Sequence, residues 1–280
     1  MKKLMFAAVA ALACTAFAEE TAPVTEIPSE NIVGYTNIEL VKGWNMLALN
    51  FEDIGNAEGI SIQDLIPGTT EGLTANMNGT LADQIQVYDP VKGGYTIYFL
   101  YYTTLPVPAL QEKNYKWVNA QQAVSDYKFK PGDTFWYRKA GDTTVSVAFK
   151  GQVSKLEKQE ITIVPGWNMI GNQFPANFNP NALGTEYWST CGATANMNGT
   201  LADQIQVYDP VKGGYTIYFL YYTTLPVPAL QEKNYKWVNA TQTPIDTKLE
   251  VLKPGNGVWY KHVGSGFKLT IPTPIAPEEK

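Results

Sequence analysis

Histidine is almost absent from this 280-residue chain: it has one, His262, at a place where the internal repeat described below has Lys139. A Ser-His-Asp or Cys-His device would therefore have to be built on a residue that only one repeat carries. A zinc site needing two or three imidazoles has no donors. In "WYKHVGSG", His262 reads as a surface residue at the end of a strand.

Cysteine is nearly as scarce. Of two, Cys14 lies in an N-terminal segment, "MKKLMFAAVAALACTAFAEE", that reads as a secretory signal: two lysines, an apolar run too short to cross a bilayer, and small residues before a cut after Ala18. Cys191 is then alone and cannot form an intramolecular disulfide. Its repeat counterpart is Glu71, so it reads as a small apolar side chain.

Basic charge is also short. Removing 1–18 leaves 19 Lys and Arg against 26 Asp and Glu, a net charge of -7. That balance excludes a nucleic-acid partner, which needs clustered cations. After residue 18 no run is apolar enough for a membrane helix, so the mature chain is expected to be soluble, without a transmembrane segment. A membrane β-barrel lacks its regular ten-residue polar-in strands.

What the chain does have is repetition. Thr74–Ala120 recurs letter for letter as Thr194–Ala240, 47 residues at an offset of 120. Around it, "GWNMLALNF" (Gly43–Phe51) matches "GWNMIGNQF" (Gly166–Phe174), and "KPGDTFWYRKAG" (Lys130–Gly141) matches "KPGNGVWYKHVG" (Lys253–Gly264), both at 123. Compensating length changes of this kind fall in loops. The organisation predicted is a signal peptide (1–18), a loose linker (19–30), one repeat module (31–150), a second (151–273) and a loose tail (274–280).

Short β-branched and aromatic runs, "YTNIELV", "NMLALNF", "DQIQVYD", "GYTIYFLYY", "TFWYRKA" and "TVSVAFKG", alternate with Gly, Pro and Asp turns. Helical spacing is confined to single turns at "SIQDLIPG" and "NPNALG". The fold class expected is all-β, two tandem antiparallel sandwich or small-barrel modules.

"GWNMLALNF", then "QIQVYDPVKGGYTIY", "KPGDTFWYRK" and "TVSVAF", resemble in order and spacing a repeat module of exported bacterial and archaeal surface proteins. That module begins Gly-Trp-Asn-Leu-Ile and ends Pro-Gly-x-Gly-Tyr-Trp. Here Met46 and Leu47 replace Leu-Ile, and Thr134 replaces a glycine that the second copy keeps as Gly257. The resemblance implies a secreted, tandem all-β module with no conserved chemistry and hence no catalytic residues, metal or cofactor to carry over.

Among the acids of the identical block, Asp83, Asp89, Glu112 and their copies Asp203, Asp209 and Glu232, Asp89 in "YDPVKGG" reads as a turn cap and the others as undirected. "NMNGTLAD" offers oxygens for calcium at Asn76, Asn78 and Asp83, but one carboxylate without EF-hand spacing reads better as a polar turn. The sequons at Asn78, Asn198 and Asn239 are incidental in a chain whose signal peptide looks bacterial.

Aromatics are the informative excess. In "GYTIYFLYY", Tyr95, Ile97, Phe99 and Tyr101 share one strand face, and Thr96, Tyr98, Leu100 and Tyr102 the other. One face must be core; the other is covered or left as a binding surface. The platform expected is Trp117, Tyr115, Tyr98 and Tyr102, with their copies Trp237, Tyr235, Tyr218 and Tyr222. Trp44, Trp136, Trp167 and Trp259 read as core. The expectation is an exported, non-enzymatic envelope or extracellular protein that binds a glycan, a cell-surface polymer or other envelope proteins. A carbohydrate-active enzyme or accessory carbohydrate-binding protein is the alternative.

Overall fold

A computed structural model describes residues 32–246 and 248–274. The signal peptide, the linker and nearly all of the tail expected from the sequence lie outside them. The chain is all-β and antiparallel throughout. No helix among the described residues is long and apolar enough to cross a membrane.

The first repeat runs β1 (Val33–Leu40), β2 (Gly43–Ala48), β3 (Ile60–Ser61), α1 (Ile62–Leu65), β4 (Gln84–Asp89), β5 (Gly94–Leu100), α2 (Pro108–Gln111), β6 (Trp117–Val118), β7 (Lys128–Phe129), β8 (Thr134–Lys139) and β9 (Val145–Gln152). The second runs β10 (Lys158–Ile163), β11 (Gly166–Gly171), a 3-10 turn (Pro180–Leu183), α3 (Gly184–Thr190), β12 (Gln204–Asp209), β13 (Gly214–Tyr221), α4 (Pro228–Gln231), β14 (Lys236–Val238), β15 (Gly257–His262) and β16 (Phe267–Pro272). Two five-stranded sheets have the same order, β2-β8-β4-β5-β6 and β11-β15-β12-β13-β14. Each is accompanied by a two-stranded ribbon, β1-β9 or β10-β16, joining the ends of its repeat.

Local chemistry accounts for the shared elements. The β4–β5 hairpin closes on "DPVKGG", where Asp89 Oδ1 accepts the Val91 and Lys92 amides at 2.9 and 3.1 Å. Asp209 repeats this at 3.0 Å to Val211 and Lys212. Gly93 and Gly213 supply the left-handed backbone at φ 65° and 66°. Residues alternate along β9, with Val145, Val147 and Phe149 buried and Ser146, Ala148 and Lys150 exposed. Each repeat has its own aliphatic and aromatic core.

The repeats meet along β2 and β11, and the described residues of both belong to one compact unit. The contacts are reciprocal: Tyr88 packs edge-on against Trp259 (5.0 Å, 81°), and Trp136 against Tyr208 (4.9 Å, 84°). Exchange of equivalent residues in this way defines an approximate two-fold axis. Next to it the repeats differ. A Cβ on Gly257 would stand 2.1 Å from Thr134 Cγ2, and one on Gly171 would stand 2.5 Å from the Ala48 Cβ. Thr134 and Gly257 are equivalent positions, as are Ala48 and Gly171, so each bulky residue faces its own smaller counterpart. Asn50 closes the seam by accepting the Gly255 amide and donating to the Asn172 carbonyl.

Several expectations are corrected. His262 is buried, not a surface residue, and Trp167 is exposed rather than core, with Trp44 half-buried. The turn expected at "NPNALG" is the 3-10 turn Pro180–Leu183, and the helix α3 that follows it was not foreseen.

Replacing Gly257 by Thr makes the repeats match at the axis and sets two threonines in collision. Urea denaturation of Gly257→Thr is expected to show a loss of about 1–3 kcal/mol. The exchange Gly257→Thr with Thr134→Gly should recover much of it.

Candidate functional site

Strand β5 shows why only some aromatics are accessible. Tyr98 and Leu100 enter the core; Phe99 and Tyr101, on the opposite face, form a small cluster with Ala82 and Val118 under the 76–82 loop. That loop lies on the Phe99 ring so closely that a Cβ on Gly79 would be 2.9 Å from it. Gln84 Nε2 ties the loop down at the Gly79 carbonyl (2.7 Å). It is shaped by side-chain-to-backbone bonds: Asn76 accepts the Asn78 amide and Asn78 the Thr80 amide, at 2.8 and 3.0 Å. The loop stops short of Tyr95 and Ile97, which remain 44% and 42% exposed. Tyr215 and Ile217 do the same in β13.

These uncovered ends of β5 and β13 border a groove on the two-fold axis. One lobe, about 360 Å³, is walled by Tyr88, Tyr95, Trp136, Trp167, Gln206, Tyr215 and Trp259. The other, about 250 Å³, is walled by Trp44, Gln86, Tyr95, Trp136, Tyr208 and Tyr215. No ionisable acid or base other than the phenols lines either lobe. The rings brace one another: Tyr88–Tyr95 and Tyr208–Tyr215 stand at 5.2 Å, Trp44–Trp136 at 5.9 Å and Trp167–Trp259 at 5.8 Å. Gln86 and Gln206 are held by bonds to Gln84 and Gln204 at 3.0 and 2.9 Å. Burial raises the Tyr95 and Tyr215 pKa values, opposed by hydrogen bonds with Trp136 and Trp259. Both phenols are therefore neutral donors across the physiological range. The groove offers flat apolar faces rimmed by hydroxyls and amides.

The platform read from the sequence is not assembled as expected. Trp117 and Trp237 are wholly buried. Trp117 donates from Nε1 to the Ile66 carbonyl (2.7 Å) and packs on Tyr137, while Trp237 packs on Trp188 and Tyr260. Tyr98 is buried against Tyr127, and Tyr218 is half-buried beside the second core. Only the pairs Tyr102–Tyr115 and Tyr222–Tyr235, at 5.1 and 5.0 Å, reach the surface, away from the groove. Tyr95, Tyr215, Trp44 and Trp167 were not expected from the sequence to share a surface. The signal available was that one β5 face needs a cover, and a loop of seven residues is too short to cover all of it.

The acids that a hydrolase would need are committed elsewhere. Asp83 is fully buried and accepts the Thr74 amide (3.2 Å), the Ala140 amide (2.6 Å) and the Tyr137 hydroxyl (2.7 Å), with Lys139 Nζ at 3.8 Å. Asp203 accepts the Thr194 and Val263 amides and the Tyr260 hydroxyl, and His262 Nδ1 stands 2.8 Å away. His262 Nε2 faces the Ser265 carbonyl at 2.9 Å. The lysine of one repeat and the histidine of the other therefore do the same work, covering a buried carboxylate. Among the described residues no group of three His, Cys, Asp or Glu is placed to hold a metal.

The fold and groove define an all-β chain with an open, neutral aromatic cleft shared by two repeats. Comparison with protein-family models, curated proteins and solved structures gives no match.

Burial, then the adjacent carboxylates, raise the Tyr137 and Tyr260 pKa values well above 10. A raised folded-state pKa gives stability that is complete below the unfolded value and lost as pH rises through the folded one. Denaturation of the native chain between pH 8 and 12 is expected to show stability falling above pH ~10. Tyr137→Phe with Tyr260→Phe should flatten that fall while costing about 1–3 kcal/mol per site at pH 7, because each Asp loses a buried donor.

Proposed function

We propose that this chain is an exported, non-enzymatic binding protein, and that its ligand is a glycan chain laid along the axial groove. The observation that carries the reading is the convergence of Tyr95, Tyr215, Trp44 and Trp167 on one open cleft without charged walls. Flat rings stack on the apolar faces of sugar rings, and the Tyr hydroxyls and Gln amides at the rim are suited to sugar hydroxyls. Rings already braced by neighbouring rings lose little rotamer freedom on binding, so the cost of ordering the site is small. An open cleft lets a polymer pass through instead of requiring a chain end. The near two-fold arrangement presents similar rings in both directions along it, which suits a ligand built of repeating units. Export, at the cell envelope or outside the cell, is part of the proposal and rests on the N-terminal segment and on the resemblance to exported repeat modules.

Affinity electrophoresis or calorimetry against a panel of neutral and amino-sugar polysaccharides tests the reading. At least one polymer should bind. Tyr95→Ala with Tyr215→Ala should weaken binding roughly tenfold or more, at about 1 kcal/mol per ring, with the circular dichroism spectrum unchanged. Binding that survives this double substitution, or a panel with no ligand at all, contradicts the proposal.

A further inference from the structure

The two-fold axis generates a cleft on either side of the groove, and the two clefts are chemically unlike. The first, about 390 Å³, lies between the repeats and shares the Tyr88 wall with the groove. It is lined by Asp133 from the turn before β8 and by Gln173, Glu160 and Thr162 from the second repeat. The second, about 220 Å³, has Asn256 at the position equivalent to Asp133.

Three features mark the first cleft as built for a ligand. Gln173 is 7% exposed, and its Nε2 is buried with no hydrogen-bond partner among the described residues. A buried amide donor left unsatisfied destabilises the fold unless something else occupies it. Its equivalent, Asn50, is fully engaged in the seam, so the fold does not require an idle amide there. Asp133 accepts one bond, from the Lys130 amide to Oδ2 at 2.8 Å, and its other oxygen accepts none among the described residues. Burial raises its pKa, with the Lys130 amide and charge opposing. Glu160, by contrast, is already paired with Lys158 and Lys268 through both carboxylate oxygens, whereas Asp133 has no salt bridge among the described residues.

We propose that this cleft is a subsite for an amino sugar: the ammonium sits on Asp133 and a neighbouring hydroxyl oxygen accepts from Gln173. An amino sugar carries a cation and an acceptor on adjacent carbons, the kinds of partner that a carboxylate and an idle donor lining one cleft would take. A lysine side chain brings the cation with no acceptor beside it. The assignment rests on the glycan reading of the groove and sharpens it to a polymer with free amino groups.

Free glucosamine and free glucose are the probes, titrated into the full mature chain with the Gln173 side-chain amide followed by NMR. Glucosamine is expected to shift that resonance at about tenfold lower concentration than glucose. Asp133→Asn, which copies the residue nature already places at position 256, should erase the difference while leaving the fold intact. An amide indifferent to glucosamine, or a preference that survives Asp133→Asn, overturns the subsite. Tyr95→Ala with Tyr215→Ala should leave the glucosamine shift in place while removing polysaccharide binding. A shift without any polysaccharide binding therefore rejects the groove reading and not the subsite; polysaccharide binding without the shift does the reverse.

Discussion

The packing of two like repeats about an approximate two-fold axis is the constraint on which the rest depends. On such an axis each residue meets its own equivalent, so identical bulky residues collide and identical small ones leave a void. A single chain escapes this because its two copies are free to differ. Here Thr134 lies against Gly257 and Ala48 against Gly171, large on one side and small on the other. The residues at the seam have diverged as well: Asn50 bonds across to the second repeat, whereas the Nε2 of its equivalent, Gln173, has no partner among the described residues. Where the axis is crossed by off-centre rings, identity is permitted, and Tyr88 and Tyr208 make equivalent contacts to Trp259 and Trp136.

The same logic explains how one 47-residue block fits two unlike flanks. The block brings a buried carboxylate, which is covered by Lys139 in the first repeat and by His262 in the second. It also brings the backbone of Trp117 or Trp237. In the first repeat Gln63 accepts the Trp117 amide and donates to the Trp117 and Ser125 carbonyls. In the second, Asn181 makes the matching bonds to Trp237 and Ile245 from a different local structure. The indole is less well served. Trp117 Nε1 finds the Ile66 carbonyl, whereas Trp237 Nε1 has no partner among the described residues, its ring standing edge-on to Trp188 of α3. The flanks adapted to the block, so the surface that the block presents is the same twice.

Strands and turns were legible because they depend on neighbours in sequence. The alternation in β9 and the Asp-Pro-x-Lys-Gly-Gly turn carry their own reasons. Exposure was not legible for the aromatics, because both faces of β5 are apolar and only a loop packed from outside decides which rings stay bare. Trp117, flanked by Lys116 and Asn119, looks like a surface residue in one dimension, yet its two-residue strand sits against the core. His262 misled for a similar reason: its partner, Asp203, is 59 residues away. The axial groove lies beyond any reading of one repeat alone, since half of its rings come from the other.

The central claim is that the two repeats are one structural unit and that the groove exists only through their union. Equilibrium urea denaturation of the mature chain, followed by tryptophan fluorescence and by far-ultraviolet circular dichroism, tests it most directly. The axial indoles report the seam and the far-ultraviolet signal reports the strands of both repeats. A single transition with the same midpoint by both probes is expected. Two separated transitions, or an early fluorescence change that leaves the strands intact, would show that the repeats fold independently and that the seam is incidental.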